Sequence, residues 1–282
     1  MDPQEPFDRR LRRLRRERAS RSGGDADYLL RHATDELLER LAGVKREFRR
    51  ALVLGAGERT LAPRLRALGL EVVAADAGAG LGDVQCDEDR LPFADGAFDL
   101  IVSVGALDSV NDLPGALALV RRALRPDGLF LGAFAGAGSL PTLRRAIHAA
   151  EEAQGLPASP RIHPQIDLRA AGDLLARAGL ALPVVDGDTI IVRFGSLLRL
   201  VADLRAMGAT NLLQSRSRRP LGRIGLAAAI ADFAAQADAD GKTAERFEIV
   251  HLIGWAPAPD QPQPARRGSA TASLTDALKP KS

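Results

Sequence analysis

Residues 51–61, Ala-Leu-Val-Leu-Gly-Ala-Gly-Glu-Arg-Thr-Leu, constrain the fold more than any other stretch of this chain. Ala51 to Leu54 form a short apolar run that leads into Gly55, Ala56 and Gly57. Helix chemistry follows. Thr60 is placed to cap, Leu61, Leu65 and Leu68 share a face, and Gly69 is placed to end the helix. The pattern predicts strand, glycine turn, helix. Glycines at such a turn let backbone approach a ligand closely, and the helix start offers unpaired N–H groups. The plain alternative is a tight corner between two elements.

The next residues favour a ligand site. Leu70 to Ala75 is a second apolar run, and it ends on Asp76. An acid there, about 20 residues after the glycines, is placed to hydrogen-bond ribose hydroxyls; otherwise it is a solvated loop acid. A short third strand is expected near Val84 to Cys86 and a fourth over Phe98 to Val104. Asp112 is placed to cap a helix that tolerates Pro114 in its first turn and stops at Pro126-Asp127-Gly128. Leu129 to Phe134 reads as the fifth strand. Apolar strands alternating with helices imply a parallel sheet covered on both faces.

Beyond it, helices are expected over Leu140 to Ala153 and over Leu168 to Ala178, the second capped by Asp167 and followed by Gly179. Pro183 to Phe194 reads as a strand or a pair of strands, and Phe247 to Ala256 as the last strand. Helices over Ser196 to Met207 and Leu221 to Ala237 are inserted between them. The organisation is a basic helical arm over 1–48, an α/β domain over 49–257 with a helical insertion at about 195–240, and a polar, proline-rich tail over 258–282.

Composition limits the function classes. The 46% hydrophobic share supplies a full core, and no apolar run reaches the ~20 residues of a transmembrane helix. A single cysteine, Cys86, excludes an internal disulfide and a cysteine-rich metal site, and reads as a reduced core thiol. Of 39 basic residues only four are lysines, which with the alanine richness suggests GC-rich coding, as in a bacterial source. The net charge of +3 is not spread evenly. Residues 1–24 carry eight arginines against four acids, leaving the rest of the chain at −1. This arm reads as a helix docking through Leu11 and Leu14, or as a binder of an acidic partner or anionic lipid. A mitochondrial presequence fits poorly, because those are poor in acids, and no apolar h-region suggests secretion. The expected location is cytoplasmic, or peripheral at the inner face of the membrane, and nucleic acid is not the expected partner.

The four histidines, His32, His148, His163 and His251, are far apart in sequence. His163, Asp167 and His251 are the one set considered for two histidines and a carboxylate on iron, and no metal is expected. Ser103 ends the fourth strand without a nucleophile-elbow pattern, so a hydrolase is not indicated. Arg193 and Asn211 are placed either to meet substrate or to serve as surface and capping residues.

Asp87-Glu88-Asp89-Arg90-Leu91-Pro92-Phe93, followed by Phe98 to Ser103, resembles class I S-adenosylmethionine-dependent methyltransferases. The resemblance implies a Rossmann-like, mostly parallel seven-stranded sheet with helices on both faces. It implies that Gly55, Ala56 and Gly57 hold the methionine end of S-adenosylmethionine and Asp76 the ribose. Asp87 and Glu88 lie beside the adenine, with Ser103 at the same edge. Further phrases resemble the complex I assembly factor 5 family. These are Phe7-Asp8-Arg9-Arg10, Val110-Asn111-Asp112-Leu113-Pro114, Arg161-Ile162-His163-Pro164-Gln165-Ile166-Asp167, Asp203 to Asn211, and Arg267-Gly268-Ser269-Ala270-Thr271. That family's best-known activity is hydroxylation of an arginine on a subunit of respiratory NADH:ubiquinone oxidoreductase. It implies a protein substrate, with His163, Arg193 and Asn211 on the substrate side. The methyltransferase of biotin synthesis that acts on a malonyl carrier protein is similar but a poorer match.

Three departures from the pattern matter. Val53 stands where an acid is usual, Arg59 where a third glycine is usual, and Asp108-Ser109 where the family has His-Trp. Arg59 is expected either to crowd the cofactor or to turn outward and pair with Asp76 or Glu58. Asp108 is the catalytic candidate, since it follows the fourth strand at the ligand-binding edge of such sheets; the plain reading makes it a turn residue. A non-catalytic assembly chaperone with a degenerate cofactor pocket is the alternative to an enzyme.

Overall fold

The computed structural model describes residues 5–22, 25–56 and 59–261. Gly57, Glu58 and the tail phrase Arg267 to Thr271 lie outside the described residues. Seven strands form one sheet: β1 (Arg50–Leu54), β2 (Glu71–Asp76), β3 (Val84–Gln85), β4 (Phe98–Val104), β5 (Leu124–Ala135), β6 (Ala181–Phe194) and β7 (Thr243–Trp255). Their spatial order is β3-β2-β1-β4-β5-β7-β6. All pairings from β3 through β5 are parallel, and β7 runs antiparallel to both β5 and β6.

The central strands β1 and β4 are almost wholly apolar because both faces are covered. Leu52, Leu54, Ile101 and Phe130 point to one side, against helices α4 (Leu113–Ala123) and α6 (Leu168–Arg177). Ala51, Val53, Leu100 and Val102 point to the other, against α2 (Tyr28–Ala42) and α3 (Leu61–Ala67). Val53 is therefore a core residue, which is the structural use of the position where an acid was expected. Helices α5 (Pro141–Glu152), α7 (Leu197–Ala206) and α8 (Arg223–Ala234) build a third cluster around Leu200, Phe233 and Phe247.

Several expected caps are present. The carboxylates of Asp112 and Asp167 accept from the backbone N–H of Gly115 and Ala170, and the Ser196 hydroxyl accepts from Arg199. Gly69 and Gly179 follow their helices at positive φ, where a side chain is strained.

Three boundaries differ from the sequence reading. Helix α4 ends at Ala123, so Pro126-Asp127-Gly128 does not stop it. Leu124 already pairs with Phe98, and the proline turn forms an irregularity inside β5, with Asp127 at φ 60°. The long β6 is a single strand, one of the two expected readings, but it starts at Ala181 rather than Pro183, because β7 pairs with it from Thr243 to Trp255. Finally, α1 (Arg9–Ser22) docks through Leu11 on Phe7, Leu212 and Leu213, while Leu14 remains 39% exposed and is not a docking residue.

Candidate functional site

The C-terminal edge of β1, β2 and β4 carries the expected ligand residues. Gly55 follows β1 at φ +91°, and its N–H donates to Ala75 O at 2.8 Å. A Cβ there would lie 2.4 Å from Ala106 Cβ, so the turn has no room for a side chain. Ala56 is buried beside it. Asp76 closes β2 and is fully buried. Asp87, Glu88 and Asp89 follow β3 as a row, and Ser103 is buried in β4 beside Leu54.

The arginines of α1 reach these same acids. Arg16 grips Asp76 with both Nε (2.9 Å) and a terminal nitrogen (2.6 Å). Arg12 grips Glu88 at 2.6 and 2.8 Å, and also donates to Ser109 Oγ and Ala106 O. Arg13 reaches Asp87 at 2.6 Å, and Arg9 holds both oxygens of Asp89 at 2.7 Å. Positions 9, 12, 13 and 16 are i, i+3, i+4 and i+7, one face of a helix. The expectation that Arg59 pairs with Asp76 is corrected: Asp76 takes Arg16, and Arg59 is exposed. Sequence reasoning saw both sets of residues and did not join them. The signal was an arginine stripe at helical spacing in a chain that also holds three consecutive acids.

Burial disfavours the charged Asp89 carboxyl, but the hydrogen bonds and charge of Arg9 more than offset this and hold it below its ordinary 3.8. Folded Asp89 thus gives up its charge at lower pH than unfolded Asp89. Its contribution to stability is complete above the ordinary value and is lost as pH falls through the lower, folded one. Between about pH 4 and pH 2, the parent should therefore lose stability more steeply than Asp89→Asn in pH-dependent urea unfolding. Parallel curves would show that the Arg9–Asp89 pair does not form in solution. Burial pushes the Cys86 thiol up to about 12, which fits an unreactive thiol.

Beside this edge lies a cavity of about 830 Å³ at the ends of β4 and β5. Leu29, Leu30 and Ala33 of α2, residues of α5, α7 and α8, and Phe247 and Ile249 of β7 form its apolar walls. Arg12, Arg16, Asp108, His163 and Asn211 supply polar groups. Asp108 sits in the turn after β4, half-buried, and makes no hydrogen bond or ion pair among the described residues. Its charge acts on Arg16 and on His163. The reading of Asp108 as a cap for its own turn is not what the side chain does.

His163 Nε2 accepts from Leu212 N–H at 2.7 Å, and burial lowers the imidazole's pKa, so the ring is a neutral acceptor braced edge-on by Phe7. The Asn211 amide donates to Pro160 O and accepts from Leu213 N–H, which fixes the cavity rim. Arg193 does not line the cavity; it pairs with Asp238 and Asp240 before β7. His163, Asp167 and His251 do not converge, because Asp167 caps α6 and His251 bonds Asp188. No group of three histidine, cysteine or acidic side chains among the described residues is arranged to hold a metal ion.

Comparison with known proteins agrees with this geometry. A family model described as a methyltransferase domain matches residues 25–183. The mitochondrial arginine-hydroxylase NDUFAF5 of Danio rerio is 33% identical over 97% of this chain and 89% of that protein. Its Homo sapiens counterpart is 34% identical over 95% and 82%. The chain belongs to this arginine-hydroxylase family. A malonyl-[acyl-carrier protein] O-methyltransferase of Xylella fastidiosa is 37% identical, over 61% of this chain and 56% of that protein. The crystal structure of the YcgJ protein from Bacillus subtilis has a TM-score of 0.52 at 18% identity, covering 80% of this chain and 99% of that one, and shows the shared fold. The strand order and these matches make the fold a class I methyltransferase fold. No helix among the described residues is long and apolar enough to cross a membrane.

Proposed function

We propose that this family member binds S-adenosylmethionine and modifies an arginine of a protein substrate during assembly of respiratory complex I. The observation that carries this reading is the pairing of a buried acid edge with a large adjoining cavity that holds a carboxylate, Asp108, without a hydrogen bond or ion pair among the described residues. The residues fit the cofactor in kind. Asp76 offers a carboxylate to ribose hydroxyls, and Asp87 and Glu88 follow beside the adenine position. Gly55 leaves its surface free of a side chain, and Asp87 Oδ1 and Ser103 Oγ are buried without a hydrogen-bond partner among the described residues. Such orphaned groups are costly unless something bonds them.

S-adenosylmethionine, when bound, supplies an electrophilic methyl group on a sulfonium. The chain's own task is alignment and charge. Asp108 is the acceptor for a substrate guanidinium, which needs a planar, anionic partner. The apolar walls exclude water and hold the residues that flank the arginine. Asn211 and neutral His163 keep the rim segment 209–213 in place. Arg10, Arg18 and Arg21 stay exposed on α1 and offer a weak contact to an anionic membrane surface, consistent with a protein that works peripherally on the inner side. Nucleic acid has no part in this reading.

The test uses the purified full chain, S-adenosylmethionine and a peripheral-arm subunit of complex I, followed by peptide mass spectrometry. The expected outcome is a mass increase on one arginine. A tight complex with no mass change would favour the second reading, a non-catalytic assembly chaperone. The ion pairs that occupy Asp76, Asp87 and Glu88 are the specific support for that reading. A carrier-protein O-methyltransferase is less well supported, because relatives of that name match either 61% of this chain at 37% identity or 84% at 28% identity, against 97% at 33% for the arginine-hydroxylase.

A further inference from the structure

We propose that helix α1 controls access to the cofactor edge: its arginines are internal ligands that the cofactor must displace from Asp76 and Asp87. This rests on the reading of that edge as a cofactor site. A guanidinium and a ribose diol are both multiple hydrogen-bond donors, and they compete for the same carboxylate oxygens. An ionised carboxylate accepts about four hydrogen bonds. Asp76 already accepts from Arg16 Nε, from a terminal nitrogen of Arg16 and from Gly78 N–H at 2.7 Å. A diol cannot be accommodated while Arg16 stays. Arg16 also overlies the glycine turn, 3.5 Å from where a Cβ of Gly55 would be.

The arm need not leave for the exchange to occur. Its front end is tied down separately: Phe7 N–H donates to Asn111 Oδ1 at 2.7 Å, and Asn111 Nδ2 donates back to Phe7 O at 3.1 Å. Phe7 is itself buried against Leu212 and Leu213. Arg12 is doubly fixed by Glu88 and by Ala106 O. The guanidiniums that yield are therefore those of Arg13, whose side chain is 42% exposed, and Arg16, and the part of α1 behind Arg12 loosens as they let go. The device couples cofactor binding to the freeing of cationic side chains beside the cavity mouth.

The experiment titrates S-adenosylmethionine into the full-length parent, Arg16→Gln and Arg9→Gln by calorimetry, with thermal unfolding to confirm that each folds. Arg16→Gln should bind about tenfold or more tighter, the equivalent of one charge-assisted hydrogen bond removed from the competition. Arg9→Gln loosens the arm at Asp89 and removes a longer, 3.3 Å contact from Asp87 while leaving Asp76 untouched, and should tighten binding by a smaller factor. Amide hydrogen exchange over 9–22 in the parent should rise at saturation. Equal or weaker affinity in both variants, with unchanged exchange, would overturn the competition and leave the cofactor site standing. If neither parent nor variants release heat at millimolar ligand, the cofactor reading and the competition fall together. Should Arg16→Gln not fold, Arg9→Gln and the exchange measurement decide.

Discussion

Glu88→Ala should lower the free energy of unfolding by about 3–5 kcal/mol, measured by urea denaturation. Glu88 is 1% exposed and faces Arg12, which is 4% exposed. Both were taken out of water on folding, and the cost is met by a two-pronged pairing plus the bonds from Arg12 to Ser109 Oγ and Ala106 O. Removing the carboxylate leaves a buried cation with only neutral acceptors. Removing both charges is a different matter: Arg12→Met with Glu88→Leu should recover most of the loss, since apolar pairs of similar volume replace buried ion pairs at little cost. Arg13→Ala, which removes a 42% exposed side chain and leaves Asp87 with Arg9 at 3.3 Å, should change stability by less than about 1 kcal/mol. A Glu88→Ala effect as small as that would mean that the arm does not dock on the acid row in solution.

Asp108→Asn should reduce kcat/KM for arginine modification by roughly 10- to 150-fold, or about 1.5–3 kcal/mol, while leaving folding intact. The carboxylate lines the cavity at the end of β4 with no hydrogen-bonding partner among the described residues. A partly buried charge without a partner is unfavourable unless a ligand supplies one. Among the groups that fit, a guanidinium matches both its charge and its shape. The amide keeps the size and part of the hydrogen bonding, so a loss reports the charge itself. An acid at this position, where the sequence resemblance implies histidine, strengthens the attraction for a cationic substrate. Turnover equal to the parent, by peptide mass spectrometry, would make Asp108 a bystander in the cavity wall.

The sheet was legible because its determinants are local. Ala51 to Leu54, the glycine turn and Asp76 lie within one strand–helix–strand unit, and β4 and the Leu129–Ala135 part of β5 are apolar runs bounded by turn chemistry. The cavity was only half legible. Asp108, His163 and Asn211 were named from sequence and do meet at one opening. Arg193 was named with them, but the alternation of β6 and the acids at 238 and 240 carry it elsewhere. The ladder between α1 and the acid row was legible only as its two halves, an arginine stripe and three consecutive acids, and not as a pairing. Arg9 and Asp89 are 80 positions apart, and an exposed-looking arginine stripe carries no mark of its partner. The extent of β7 was missed for a related reason: Glu245 and Arg246 look like loop residues, and only the antiparallel pairing with Val192 and Ile191 makes them strand.

The central claim is that Asp76 holds the cofactor, with Arg16 as its substitute ligand. A crystal structure of the full chain with S-adenosylhomocysteine at saturation tests it most directly. The account predicts ribose hydroxyls on the Asp76 carboxylate, with the Arg16 guanidinium turned away. A complex in which the nucleoside is bound while Arg16 still grips both oxygens of Asp76 would contradict it.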